Sequence, residues 1–221
     1  SERVFLSWMA RDEPIIPAGL RVFAAPCSAR CSASLTARRP ADQNRPMASH
    51  GTAYTSTAIV MHWLAGVLIL CGFALGVSLQ DLPMSPQTLR LYGYHKWIGI
   101  TVFLLAVMRL AWRIAHPPPA PETMPAWQSR AAAAAHALLY ALMLVIPLSG
   151  WIYSSAAGVQ VVYLGLVPLP DMVPKDKALA NVLKAVHATS NYALLALVTV
   201  HAGAAVKHHW VDRDDVLRRM L

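Results

Sequence analysis

Past residue 53 the chain alternates long apolar runs with short polar breaks, and this pattern recurs four times. The runs predict four membrane-spanning helices over about residues 58–79, 95–115, 131–154 and 185–206. At 1.5 Å per residue, each is long enough to cross a hydrocarbon layer of roughly 30 Å. In the first run His62 is the sole ionisable side chain apart from the Cys71 thiol. Arg109 and Arg113 interrupt the second near its end. The third contains Pro147, which a membrane helix tolerates because neighbours satisfy the freed carbonyl. The fourth has His187 and His201 near its two ends. Proline-rich breaks join the runs: LPMSPQ (82–87), HPPPAPETMPAW (116–127) and GLVPLPDMVPKDK (165–177).

Residues 1–53 have a different texture, rich in Arg, Pro, Ala and Ser, with no periodic apolar face. Their best apolar patch is broken by Pro17, Gly19 and Arg21, so it lacks the core of a signal peptide. Two readings stand: a disordered cytoplasmic leader, or residues upstream of a native start at Met47. The expected organisation is therefore a leader over 1–53 and an all-α, four-transmembrane-helix domain over 54–221.

Composition agrees with a membrane bundle. Hydrophobic residues make up 56% of the chain and charged ones 14%, against about 25% charged in a soluble domain. The net charge of +8 does not mark nucleic-acid binding. Seven basic residues precede Met47, the others flank apolar runs, and no basic stripe is interleaved with aromatics. With both termini on one side, that side carries Arg109, Arg113, Arg130, Lys207, Arg213, Arg218 and Arg219. The other side carries Arg90, Lys96, Lys175, Lys177 and Lys184, so the bias of seven against five places both termini in the cytoplasm. Cys27 and Cys31 lack the Cys-x-x-Cys-His pattern of covalent haem attachment, and Cys71 in its apolar run acts as a small hydrophobe. Any haem is held without a covalent link.

Five histidines lie in the spans: His62, His95, His136, His187 and His201. Ionisable residues at membrane depth are rare and mark function. The direction of each span sorts them into two layers, with His62, His136 and His201 near the inner face and His95 and His187 near the outer. His187 and His201 are fourteen residues apart, which is about 21 Å along a helix and about 40° short of four turns. One helix therefore presents a ring to each layer on nearly the same face. A planar macrocycle needs a second axial ligand at each depth, giving the pairs His62–His201 and His95–His187. Bis-histidine iron has no open position and suits electron transfer. Gly66 and Gly99, each four residues after a histidine, leave room for a flat ring to approach the backbone. The spans contain no Asp or Glu, which argues against a transition-metal transport site.

With these histidines in place, the chain resembles the bacterial cytochrome b561 family, related to the cytochrome b subunits of hydrogenases. The matching pieces are MHW (61–63), YHKWIGI (94–100), VMRLAWR (107–113), PLSGW (147–151), VHATSNYALLALVTVHAGAAVKHHW (186–210) and LRRM (217–220). The resemblance covers about residues 53–221 and implies two b-type haems, exchange of electrons with membrane quinone such as ubiquinone, and the bacterial inner membrane. Some members are superoxide oxidases, so a small donor such as superoxide is one expected partner. His62, His95, His187 and His201 match the family's ligand positions. Two alternatives stand beside this reading: a membrane-anchor cytochrome b relaying electrons from a dehydrogenase or hydrogenase, and a haem-free transporter.

Other residues carry lesser expectations. Arg109, fourteen residues after His95, projects from the same face of its span at inner depth; it either pairs with haem propionates or snorkels to lipid headgroups. His136 is a packed polar residue, a proton relay or a quinone contact. Gly72 and Gly76 form a small-xxx-small helix-packing pair. Asn191 either orients His187 or bonds a neighbour. His208 and His209 sit at the headgroup surface. Lys96, Lys175, Lys177 and Lys184 are solvated loop charges or a rim that steers an anion.

Overall fold

The computed structural model describes residues 53–119 and 124–221, so the expectations for the leader, including Met47, Cys27 and Cys31, lie outside it. Four long helices carry the chain: α1 (Ser56–Ser78), α2 (Pro86–Ala115), α3 (Ala126–Ala156) and α4 (Lys177–Lys207). All four are long and apolar enough to cross a membrane.

Three of the helices begin well before the apolar runs they contain. α2 starts at Pro86 rather than at residue 95, α3 at Ala126 rather than 131, and α4 at Lys177 rather than 185. Hydropathy marks where a helix meets hydrocarbon, whereas caps mark where it begins. The Ser85 hydroxyl accepts from the Thr88 amide at 3.1 Å, and Pro86 at the first position has no amide to satisfy. The Asp176 carboxylate accepts from the amides of Ala178 and Leu179 at 2.8 and 3.1 Å. Thr55 caps α1 in the same way, accepting from the Ala58 amide at 3.3 Å.

α2 packs against α1 and α3, and α4 packs against α3. The buried core is small: Met61 and Ala65 of α1, Val102, Leu105 and Ala106 of α2, and Met143 of α3. Around it the helices expose Val60, Val67, Leu104, Leu138, Val145 and Val200, an apolar surface that a bilayer covers and water does not.

The two ends of the bundle are closed differently. Between α3 and α4 the chain forms a short antiparallel hairpin, β1 (Val162–Tyr163) with β2 (Val167–Pro168). The Trp97 indole of α2 donates to the Val162 carbonyl at 2.7 Å, and the Thr101 and Tyr163 hydroxyls are 3.0 Å apart. At the opposite end, one π turn (His208–Asp212) follows α4 and leads to a 3-10 turn (Arg218–Met220). That segment returns to α1, where the Trp63 indole donates to the Met220 carbonyl at 2.8 Å. These ends are called here the hairpin side and the terminal side.

Candidate functional site

On the hairpin side, α2 and α4 bring His95 and His187 face to face, with ring centres 6.1 Å apart and planes at 79°. The two rings are seated alike. His95 Nδ1 lies 3.1 Å from the Gly72 carbonyl, and four residues on, a Cβ at Gly76 would stand 2.9 Å from the His95 ring. His187 Nδ1 lies 3.0 Å from the Ile146 carbonyl, and four residues on, a Cβ at Gly150 would stand 2.9 Å from the His187 ring. A carbonyl only accepts, so each Nδ1 carries the proton and each Nε2 has a free lone pair. The buried Ser149 adds a second partner: its hydroxyl donates to the Ile146 carbonyl at 2.7 Å and lies 3.1 Å from His187 Nδ1.

On the terminal side, α1 and α4 bring His62 and His201 together, with ring centres 6.2 Å apart and planes at 67°. His136 of α3 joins them, its ring centre 5.4 Å from that of His201. His62 Nδ1 is buried without a hydrogen-bond partner. Arg109, half-buried, lies over the Tyr140 ring at 5.7 Å, and its charge acts on His62, His136 and His201.

These arrangements fit bis-histidine iron. A haem iron held between two imidazoles would need room between the rings. The separations of 6.1 and 6.2 Å leave that room, and His136 stands closer to His201, at 5.4 Å. The free Nε2 lone pairs of the hairpin-side rings are a further mark of such a site. A cleft lies between the helices on the hairpin side, lined by His95, His187, Gly99, Phe73, Pro147 and Asn191 among others. A side chain at Gly66 or Gly99 would meet nothing within 4 Å, so the room expected beside those histidines is there.

Other expected residues take more modest places. Asn191 donates to the backbone carbonyl of His187 at 2.7 Å, a bond within its own helix rather than one to the ring. His208 lies past the end of α4, its Nδ1 2.5 Å from Asp214 and 3.3 Å from Asp212, while Lys207 pairs with Asp212 at 2.6 Å. Lys96 is half-buried on α2, beside His95. Gly72 does pack against α2, meeting Ile98, but Gly76 has the more specific job of seating His95.

Sequence reasoning missed Ser149, Gly150 and the Ile146 carbonyl. The available signal was the PLSGW segment, where a hydroxyl and a glycine follow directly on a helix-interior proline.

Comparison with known proteins adds an independent line. A family model described as prokaryotic cytochrome b561 matches residues 53–221. Among similar proteins, cytochrome b561 homolog 2 of Escherichia coli K12 is 32% identical over 176 residues, covering 76% of this chain and 90% of that protein. Cytochrome b561 homolog 1 of the same organism is 30% identical over 175 residues, covering 76% and 96%. The probable superoxide oxidase CybB of Yersinia pestis is 25% identical over 177 residues, covering 76% and 95%.

Proposed function

The chain belongs to the prokaryotic cytochrome b561 family, and from that premise we propose that it carries electrons across the membrane through two b-type haems in exchange with quinone. Membership makes it a multi-pass membrane protein of electron transfer with b-type haem. The finer reading is carried by one observation: two imidazole pairs, His95–His187 and His62–His201, with ring centres 6.1 and 6.2 Å apart and at different depths.

Haem b bound there would supply a one-electron couple, and a histidine pair holding its iron would favour electron transfer over oxygen binding. The residues hold and aim it. His187 and His201 leave one face of α4 about 21 Å apart, so the ligand pairs divide the hydrocarbon into steps. The Gly72 and Ile146 carbonyls fix the hairpin-side rings through Nδ1, which would leave Nε2 to hold a haem iron. Arg109 supplies positive charge beside the terminal-side pair and is a candidate partner for anionic haem propionates.

The name of the Yersinia relative supports superoxide as the electron donor. Each superoxide ion gives up one electron and leaves as dioxygen. Two such electrons and two protons convert ubiquinone to ubiquinol. The seven-to-five excess of basic residues supports a terminal side in the cytoplasm of a bacterial inner membrane. We assign this activity to residues 54–221, in keeping with a family match that begins at residue 53.

The test is a pyridine haemochrome assay on purified protein, with haem extracted into acidified organic solvent. Two haem b per chain are expected, and one or none would sink the reading.

A further inference from the structure

We propose that the His95–His187 pair holds its haem at a lower reduction potential than the His62–His201 pair does, so that electrons run from the hairpin side to the terminal side. The proposal rests on the two-haem reading above and adds to it an order and a direction.

The two ligand pairs differ in what their second ring nitrogens meet. His95 Nδ1–H donates to the Gly72 carbonyl at 3.1 Å. His187 Nδ1–H lies between the Ile146 carbonyl at 3.0 Å and the Ser149 hydroxyl oxygen at 3.1 Å. The Ser149 proton is itself engaged with the Ile146 carbonyl at 2.7 Å, so its oxygen is left to accept. The terminal-side pair lacks such support. His62 Nδ1 is buried with no partner, and among the described residues His201 has ring contacts with His62 and His136 but no hydrogen bond to its ring.

A hydrogen bond that draws on the Nδ1 proton makes the opposite nitrogen a stronger donor. A stronger donor stabilises ferric over ferrous iron and lowers the potential, one of the protein's levers on a haem. Both hairpin-side ligands have this bond, and His187 has two acceptors for it. Nearby charge adds to the difference. Arg109 acts on both His62 and His201, and a cation favours the less positive ferrous state. On the hairpin side Lys96 works the other way but acts on His95 alone, whereas Arg109 acts on both members of its pair. With the potentials in that order, an electron given to a hairpin-side haem would pass downhill to a terminal-side one. A one-electron donor is thus met on the hairpin side and quinone on the terminal side.

The experiment is a spectroelectrochemical titration of the haem-loaded protein in detergent, following the visible band. Two one-electron waves are expected. His95→Ala or His187→Ala should remove the lower wave, and His62→Ala or His201→Ala the upper; the reverse assignment overturns the proposal. Histidine variants can fail to accumulate, so Ser149 gives a separate test. Ser149→Ala should move only the lower wave, upward, while Ser149→Thr keeps the hydroxyl and the wild-type midpoint. A Ser149→Ala protein whose upper wave moves instead, or whose waves both stay put, overturns the proposal as well. Two haems per chain titrating at one potential would overturn the order alone. One haem per chain in the haemochrome assay would sink the two-haem reading beneath it.

Discussion

The His95 ring occupies the space that a side chain at position 76 would take: a Cβ built on Gly76 stands 2.9 Å from His95 Cε1. Gly150 has the same relation to His187, again at 2.9 Å. In both cases the ring's Nδ1 bonds the carbonyl four residues earlier on the facing helix, Gly72 or Ile146. The glycine clears the surface and the carbonyl takes the proton, so an added methyl group disturbs both.

Gly76→Ala and Gly150→Ala should each loosen the hairpin-side haem. Forcing a methyl into a packed contact costs about 1–3 kcal/mol, roughly 5- to 150-fold in affinity. Haem content should fall from two per chain towards one, with the remaining haem spectrally that of the terminal side. Haem titration of the apoprotein measures the change. Unaltered affinity in both variants would mean that the rings have room to shift.

Much of this arrangement was legible in the sequence. The fourteen-residue spacing of His187 and His201 placed two rings on one face of α4, and chain direction placed His62 and His95 at matching depths. The structure brings those same residues within 6.2 and 6.1 Å. Ser149, Gly76 and Gly150 were not legible as ring partners, for a physical reason. α1 and α3 are apolar nearly all round, so no polar face fixes their rotation about their own axes, and which glycine meets which ring depends on that rotation. The early starts of α2 and α4 were hidden because Ser85 and Asp176 act through backbone amides, which hydropathy does not register. The hairpin has only two paired positions on each strand, too few for a period-two pattern to emerge.

Single histidine substitutions should separate the two sites. His62→Ala or His201→Ala should remove the terminal-side haem and spare much of the other, and His95→Ala or His187→Ala should do the opposite. Each would take one imidazole from a proposed pair, and the two pairs share no residue. The haemochrome assay with low-temperature spectra reads both content and identity. Loss of the same spectral component in all four variants would contradict the pairing.

His136→Ala should keep both haems. The His136 ring lies 5.4 Å from that of His201, closer than the 6.2 Å of His62, which leaves less room for an iron between them. Two haems per chain are expected within error of the parent protein. If this variant loses a haem while His62→Ala keeps both, then His136 and not His62 is the terminal-side ligand.

The hairpin over the opposite end should depend on α2 rather than on itself. Its strands pair only Val162 with Pro168 and Tyr163 with Val167, and Pro168 has no amide to donate. A pairing this short is marginal alone. What fixes it is the Trp97 indole on the Val162 carbonyl at 2.7 Å and the Thr101 hydroxyl 3.0 Å from that of Tyr163. Trp97→Phe keeps an aromatic ring but removes the first bond, and Tyr163→Phe removes the second, each worth about 1 kcal/mol net. Amide exchange over residues 162–168 should quicken about 5-fold in either variant and about 30-fold in the double variant, as expected for opening of a local unit. Haem content should stay unchanged, because neither bond touches His95 or His187. Hydrogen exchange read by mass spectrometry decides it. Exchange that does not quicken in the double variant would assign the hairpin's order to its own turn, and a loss of haem would make the hairpin part of the site it covers.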